Sequence, residues 1–230
     1  MSDRRLAEMY GAHHQRGGRY GYVYGGEDRL RFFRGWLESA SRVLDLGCRD
    51  GALTGQWAAG RQVVGVDIDR TALGRARDLF DLRGVQGNLN EPFPFAPDSF
   101  DAVVAGELLE HVFFPAFFLE EVARVLRPDG RFIGSTPNAF RLRNRWRFLR
   151  GQEFESDPTH LHRYSVAGLE RALGRHFGRV QVEPLGGHFL GGGRSGVPVR
   201  PGAPRWARRL FALDLCWLAE GPRPGGEEKV

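Results

Sequence analysis

Two acidic residues stand where the chain could hold a nucleotide-type ligand. Asp45 lies within a short apolar run that leads into a turn containing Gly47 and Gly51, and Asp67 ends a second apolar run 20 positions after Gly47. Glycine turns let backbone N–H groups approach a ligand, and an acid about 20 residues further on reads ribose hydroxyls in Rossmann-like sites. Turn, spacing and strand context together favour such a site. The alternative role for Asp67 is the N-cap of a helix beginning near Arg70.

A second group of polar residues could carry acid–base or metal chemistry. Glu107, Glu110 and His111 form an E-x-x-E-H motif, which would place all three on one face if the segment is helical. With the downstream His160, or His162 as its substitute, they would make an oxygen and nitrogen site suited to Mg²⁺, Mn²⁺ or Zn²⁺. Without a metal, His111 or His160 is a candidate general base, or the group is structural.

From Val43 onward, short apolar runs alternate with helical patterns. This alternation predicts βαβ units and an α/β fold with a parallel sheet covered on both faces. Helices are predicted to begin near Gly51, Arg70 and Pro115. The predicted strands are Arg42–Leu46, Gln62–Asp67, Gly84–Gln86, Asp101–Ala105 and Arg131–Ser135.

The segments on either side of this core have different compositions. Residues 1–40 are predicted to be a lid or accessory segment, with a loop over 11–26 that carries Tyr20, Tyr22 and Tyr24. Residues 41–220 form the main domain, with an insertion at about 138–164 on the substrate side, and 221–230 is a flexible tail. The remaining predicted elements are helix Glu27–Leu37, helix Ser165–Phe177, strand Val180–Pro184, loop 186–204, helix Trp206–Phe211 and strand Leu213–Ala219.

Composition limits the classes of protein to which the chain can belong. Hydrophobic residues make up 41% and charged residues 27% of its 230 residues, which is typical of a globular domain. The longest apolar stretch, Val112–Leu119, is too short to span a bilayer, and the N-terminus lacks the apolar core of a signal peptide. Cys48 and Cys216 cannot form a disulfide framework. We therefore expect a cytoplasmic protein without a membrane partner.

The charge pattern is mildly basic and locally concentrated. With 33 Lys and Arg against 28 Asp and Glu, a net charge of +5 is too weak to indicate a nucleic-acid partner. Five arginines alternate with aromatic residues between 140 and 150. They would contact an acidic substrate or an RNA backbone, or they would form the solvated face of an amphipathic helix, which is the preferred interpretation.

These motifs resemble the class I S-adenosylmethionine-dependent methyltransferases over roughly residues 40–185. The resemblance rests on D-x-G-x-x-x-G from Asp45, on Asp67, on F-D-A-V-V leading to Leu109-Glu110-His111, and on L-R-P-D-G-R over 126–131. It implies a Rossmann-like three-layer sandwich with a seven-stranded, mostly parallel sheet of order 3-2-1-4-5-7-6 and an antiparallel last strand. Arg49 departs from the family, which commonly has glycine there.

The same resemblance implies roles in binding S-adenosylmethionine. Asp45 and Gly47 would face its methionine part, Asp67 its ribose hydroxyls and Ile68 its adenine. Asn88 stands where the family often has an Asp that reads the adenine amino group, and Glu107 would lie near the methionine ammonium. The full predicted set is Asp45, Gly47, Cys48, Gly51, Asp67, Ile68, Asn88, Leu89 and Glu107.

Three narrower resemblances give competing hypotheses. The E-x-x-E-H and T-H motifs resemble the ubiquinone-biosynthesis O-methyltransferases and are similar to the small-RNA 3′-terminal 2′-O-methyltransferases. Both imply a divalent metal held by Glu107, Glu110, His111 and His160. The stretches from Val85 to Asn138 and over 143–151 look like the methionine-biosynthesis W family, which implies a non-catalytic support protein of an acyltransferase. The sequence favours O-methylation of a small molecule, with RNA ribose methylation and the support role as alternatives, and leaves a homodimer open.

Overall fold

The computed structural model describes residues 3–16, 18, 20–23, 26–153, 157, 159–187, 199, 202–223 and 225. Its helices in these ranges are α1 (Asp3–Arg16), α2 (Gly26–Leu37), α3 (Arg70–Phe80), α4 (Pro115–Val125), α5 (Leu142–Leu149), α6 (Val166–Gly174) and α7 (Arg205–Phe211). Its strands are β1 (Arg42–Leu46), β2 (Gln62–Asp67), β3 (Arg83–Gln86), β4 (Phe100–Gly106), β5 (Leu126–Pro137), β6 (Phe177–Leu185) and β7 (Asp214–Pro222).

The strands form one seven-stranded sheet in the order β3-β2-β1-β4-β5-β7-β6. The neighbours from β3 to β5 are parallel, whereas β7 runs antiparallel to both β5 and β6. Helices cover the sheet. The predicted Rossmann-like α/β fold and its strand order are therefore confirmed.

Alternating side chains of the central strands belong to two hydrophobic clusters, one on each face of the sheet. Leu44 and Leu46 of β1 join the cluster that contains Phe118 of α4. Val43, which precedes Leu44 and points to the opposite face, joins the cluster that contains Phe33 of α2. Because side chains of a strand alternate between its faces, burial on both sides explains why these runs are almost entirely apolar.

One glycine in the centre of the sheet is required by close packing. A Cβ atom at Gly134 of β5 would lie 2.1 Å from the ring of Trp217 and 2.5 Å from the carbonyl oxygen of Ala105. Trp217 is fully buried and occupies the space that a side chain at position 134 would need. The sheet therefore depends on a glycine at this position.

Two helix predictions need correction at their boundaries. Residues 11–16, predicted as loop, form the last turns of α1, and their Gly- and His-rich composition concealed this helix. The helix predicted over Ser165–Phe177 does begin at the Ser165 cap, whose side chain accepts a hydrogen bond from the Gly168 N–H. It ends at Gly174, because Phe177 already starts β6.

The helix predicted from Gly51 is absent. A single 3₁₀ turn, Thr54–Gln56, takes its place. Gly51 has φ +75°, a left-handed conformation in which a helix cannot continue. Tyr24, most of the loop at 186–204 and most of the tail at 221–230 lie outside the described residues. Within the described ranges, no helix is both long and apolar enough to cross a membrane.

Candidate active site

A cavity of about 670 Å³ opens at the carboxyl ends of the central strands. The strand order reverses between β1 and β4, and in open α/β sheets this reversal creates a crevice for ligands. The cavity is lined at the ends of β1, β2 and β4 by Asp45, Asp67 and Gly106. Tyr10 of α1 also lines it. The position matches that predicted from the strand-end acids.

Asp67 is buried at the end of β2, and both of its carboxylate oxygens are held by backbone donors. The N–H groups of Arg49 and Asp69 each donate to it at 2.8 Å. Burial raises the pKa of Asp67, although these hydrogen bonds oppose the shift. The N-cap of α3 is Asp69, which accepts hydrogen bonds from the N–H groups of Thr71 and Ala72. The alternative cap role for Asp67 is therefore wrong.

The turn after β1 keeps a left-handed backbone despite its arginine. Gly47 has φ +70° and Arg49 has φ +49°, a region that favours glycine. The Arg49 side chain is fixed by Asp50 at 3.0 Å and by the carbonyl oxygen of Tyr22. Arg49 therefore preserves the path of a glycine turn and ties it to the N-terminal segment.

Asp45 faces the cavity from the buried end of β1. The hydroxyl of Thr54 donates a hydrogen bond to its carboxylate. Burial raises the pKa of Asp45 to about 7, and that hydrogen bond only partly offsets the effect. A carboxyl group poised in this way favours a cationic ligand group, because a nearby positive charge stabilises the carboxylate.

The other residues predicted to bind a cofactor divide into two groups. Cys48, Ile68, Asn88, Leu89 and Glu107 line the cavity together with Asp45, Gly47 and Asp67. The cavity lining does not include Gly51, where a Cβ atom would lie 3.0 Å from Phe80 and 3.2 Å from Ala76 of α3. The Asn88 side-chain amide donates to Asp3 at 2.8 Å, so this residue also anchors α1.

Glu107 departs from the predicted arrangement. Residues 107–111 form a turn rather than a helix, and Glu107 itself has φ +55°. Its carboxylate pairs with the buried Arg29 at 2.9 Å and accepts a hydrogen bond from the Ser135 hydroxyl at 2.8 Å. Because Arg29 and Ser135 already bind the Glu107 carboxylate, it does not join the group of possible metal ligands, which contains Glu110, His111 and His160.

The same cavity contains a second cluster, in which the side chains of Glu110, His111 and His160 lie close together. One possible ligand atom from each lies within 4.8 Å of the others. Both oxygens of the buried Glu110 carboxylate lack a well-formed hydrogen bond among the described residues. Burial, and then the Glu107 carboxylate, raise the Glu110 pKa well above its ordinary value, and the nearby Thr136 hydroxyl only partly opposes them. A cation would compensate such a buried carboxylate.

The His111 ring is oriented by the backbone. Its Nδ1 atom lies 3.0 Å from the carbonyl oxygen of Thr159, and since a carbonyl only accepts, Nδ1 must donate. Nε2 is then unprotonated and lies 3.9 Å from Glu110. Burial and the neighbouring His160 lower the pKa of His111 to about 4, so the ring is neutral at pH 7. His162 lies outside this cluster, beside Tyr164.

Sequence reasoning missed the contribution of the two N-terminal helices. Tyr10, His13 and His14 of α1 line the cavity, and His14 contacts Asp69 at 3.1 Å. Arg29 of α2 also lines it, and its Nε atom is buried without a hydrogen-bond partner among the described residues. The signal for Arg29 was its place beside Leu30 on the apolar face of a predicted helix, where an arginine needs a partner.

The arginine-rich run forms the predicted amphipathic helix, α5. It does not present a simple solvated arginine face. Arg141, Arg143 and Arg147 line the cavity, whereas Trp146 and Leu149 are exposed. Basic groups therefore line the same cavity as Glu110 and His160.

Fold and site together define a class of protein. The sheet order, the glycine turn after β1 and the acid ending β2 are those of the class I S-adenosylmethionine-dependent methyltransferases. A solved SAM-dependent methyltransferase from Thermotoga maritima superposes with a TM-score of 0.67 at 16% identity, covering 84% of this chain and 88% of that one. At that identity the likeness concerns the fold.

Sequence relatives agree with this class. Residues 44–134 match the family described as a methyltransferase domain. A Mycolicibacterium smegmatis protein, named as an S-adenosylmethionine-dependent methyltransferase, is 34% identical over 164 residues, covering 70% of this chain and 60% of its own length. A ubiquinone biosynthesis O-methyltransferase from Burkholderia vietnamiensis is 29% identical over 181 residues, covering 68% and 75%. The chain therefore carries a methyltransferase domain and is similar to S-adenosylmethionine-dependent methyltransferases.

The match does not extend over the whole of these relatives. The chain spans 60% of the length of the Mycolicibacterium protein and 47% of the length of a similar Mycobacterium tuberculosis protein. The relatives therefore identify the domain and its cofactor class.

The cavity fits S-adenosylmethionine by the chemistry of its lining. The strand-end carboxylates of Asp45 and Asp67 suit an ammonium group and a ribose diol, respectively. The unpartnered Nε of the buried Arg29 suits an anionic group such as the methionine carboxylate. A volume of about 670 Å³ is within the range typical of small-molecule sites.

Proposed function

We propose that the protein transfers a methyl group from S-adenosylmethionine to a hydroxyl oxygen of a small molecule. The observation that carries this proposal is that Glu110, His111 and His160 open into the same cavity as Asp45 and Asp67. A cofactor on the strand-end acids and an acceptor beside the Glu–His cluster would share one cavity. The O-methyltransferase names among the relatives support this reaction type.

The protein's part in this reaction is mainly to bind and orient. Asp67 would bind the ribose hydroxyls, and Asp45 the methionine ammonium. S-adenosylmethionine supplies an activated methyl group when bound. Holding an acceptor oxygen in line with that group removes much of the entropic barrier to transfer. Where no cation is bound, the neutral Nε2 of His111, or His160, would take the hydroxyl proton as the oxygen is methylated.

We further propose that Glu110, His111 and His160 can hold a divalent cation. A carboxylate and two imidazoles form a donor set that Mn²⁺ or Zn²⁺ accepts, and the buried Glu110 oxygens lack well-formed hydrogen bonds within the described part of the chain. A cation there would lower the pKa of an acceptor hydroxyl. Glu107 is left out of this proposal, since Arg29 and Ser135 bind its carboxylate.

The proposed reaction is tested by measuring release of S-adenosylhomocysteine with a panel of phenolic, alkyl and vicinal-diol acceptors. We expect turnover with at least one acceptor class. His111→Ala should lower kcat about 100-fold, since a positioned base contributes that much or more. His162→Ala is the matched control and should keep its activity, because His162 lies outside the cluster.

The competing hypothesis is a non-catalytic support protein. Absence of turnover with every acceptor, together with stoichiometric co-purification of an acyltransferase, would contradict the proposed reaction and favour that hypothesis. Turnover on a 3′-terminal RNA ribose, with none on small molecules, would instead favour the RNA alternative.

A further inference from the structure

Helices α5 and α7 expose an unusual set of side chains beside the cavity. Of the 14 large hydrophobic residues that are exposed in the described part of the chain, six lie here. Leu142, Trp146 and Leu149 follow a spacing of four and three residues, so they share one face of α5. They are 43%, 59% and 74% exposed. We call the following set the basic–apolar surface: Phe140, Leu142, Arg143, Arg145, Trp146, Phe148, Leu149, Arg150, Arg205, Trp206 and Arg209.

The two helices form one continuous surface. The side-chain amide of Asn138, just before α5, donates to the carbonyl oxygens of Arg209 and Ala212 at 3.0 and 3.1 Å. This fixes the last turn of α7 beside the start of the α5 segment. Trp206, which is 65% exposed, lies on this neighbouring helix.

The charge of this surface is entirely positive. Residues 139–150 contain five arginines and no acidic residue, and α7 contains three arginines and no acidic residue. The exposed arginines at 143, 145, 150, 205 and 209 form no ion pair with any described residue. The Arg150 guanidinium instead lies 5.9 Å from the ring centre of Trp146. Uncompensated charge of one sign calls for an anionic partner.

We propose that the basic–apolar surface docks the protein peripherally on an anionic lipid bilayer. Helices with arginine beside a stripe of tryptophan, phenylalanine and leucine lie in the membrane interface, with the apolar side chains at the acyl boundary. Each arginine near an anionic leaflet adds to the attraction. Such docking needs no spanning helix.

Two other occupants fit the surface less well. Bases of a single-stranded nucleic acid stack on aromatic rings, but Leu142 and Leu149 offer aliphatic chains, which match acyl chains better. A second copy of the chain would bring two positively charged surfaces together, which is unfavourable. The bilayer satisfies both the charge and the aliphatic stripe.

Docking in this orientation would bring the cavity to the membrane. Arg147 and Asn144 line the cavity from the α5 segment that carries the exposed stripe on another face. If the proposed methyl transfer holds, an amphiphilic acceptor could pass from the bilayer into the site, but the docking proposal does not depend on that activity.

The test is flotation with vesicles of equal parts phosphatidylglycerol and phosphatidylcholine, against phosphatidylcholine alone. The full chain should float with the anionic vesicles only, and less at high salt. Trp146→Ser and Leu149→Ser should each lower the partition coefficient about fivefold or more. Arg145→Gln and Arg150→Gln should each lower it about fivefold. None of these four side chains lines the cavity.

Matched controls lie on α3 and β3. Leu79→Ser, at a 61% exposed leucine, and Arg83→Gln should float as the wild type does, and circular dichroism should report all variants folded. The proposal is overturned if the protein ignores anionic vesicles or binds neutral ones equally. It is also overturned if the four α5 variants float like the controls, or if Trp146→Ser instead disperses a dimer or abolishes tighter binding to a single-stranded RNA probe.

Discussion

The pKa of Asp45 makes cofactor binding dependent on pH. In the ligand-free protein burial holds this pKa at about 7, so the group is partly protonated at neutral pH. The cofactor's ammonium favours the carboxylate, so binding should release a proton. As the pH falls below 7, affinity for S-adenosylhomocysteine should fall, by up to about tenfold per pH unit.

Calorimetry at pH 6, 7 and 8 measures this dependence. Asp45→Asn should reduce the slope, because the amide does not titrate in this range. A slope as steep in Asp45→Asn as in the wild type would assign the dependence to another group.

The cluster of Glu110, His111 and His160 gives a prediction about the metal dependence of activity. If Glu110 is a ligand, EDTA should abolish turnover and Mn²⁺ or Zn²⁺ should restore it. Glu110→Gln keeps the shape of the side chain but loses its charge, so it should lower activity at least about tenfold. Full activity of Glu110→Gln in EDTA would remove the metal and leave His111 or His160 as a base alone.

At the residue level, the sequence predicts contacts that depend on strand ends and misses those that depend on long-range packing. Asp45 and Asp67 could be predicted because each lies at or next to the end of a short apolar run, and parallel strands bring their carboxyl ends together. Arg29 offered only its place on an apolar helix face, and His14 was not found at all, because both reach the cavity from helices whose docking on the sheet is not encoded in local spacing. The helical arrangement predicted for Glu107, Glu110 and His111 is wrong, because the left-handed backbone of Glu107 breaks the helical spacing.

The same distinction holds for the elements. β1 and β2 have the boundaries predicted for them, because their apolar runs are bounded by polar residues. The segment after Gly51 has helical composition but forms one 3₁₀ turn. The backbone before it has positive φ at Gly47, Arg49 and Gly51, which is incompatible with a right-handed helix at those positions. A turn shaped for ligand contact has overridden local propensity here.

Helix α6 offers a quantitative check at this scale. Ser165→Ala removes the side-chain oxygen that accepts from the Gly168 N–H at 3.1 Å. It should lower the free energy of unfolding by about 1 kcal/mol, the usual value for an N-cap. Urea denaturation measures the change. Ser41→Ala is the control and should change stability little, because its described hydrogen bonds use its backbone N–H and carbonyl and not its side chain. Equal effects of the two substitutions would contradict the cap.

Considered as a whole, the molecule places the cavity between the carboxyl ends of the strands and the helices α1, α2 and α5. α1 covers the cavity and contacts it through Tyr10, His13 and His14. α5 borders it on the side of the basic–apolar surface. The shared sheet positions the acids proposed to bind the cofactor, and we expect these covering segments to select the acceptor.

The central claim is that the strand-end acids bind the cofactor. Isothermal titration calorimetry with S-adenosylhomocysteine tests it most directly. We predict a micromolar dissociation constant for the wild type and a loss of about 10- to 100-fold in Asp67→Ala, through two lost charge-assisted hydrogen bonds to the ribose. Asp78→Ala, at an exposed acid on α3, should bind as the wild type does. An Asp67→Ala protein that remains folded and binds with unchanged affinity would contradict the account.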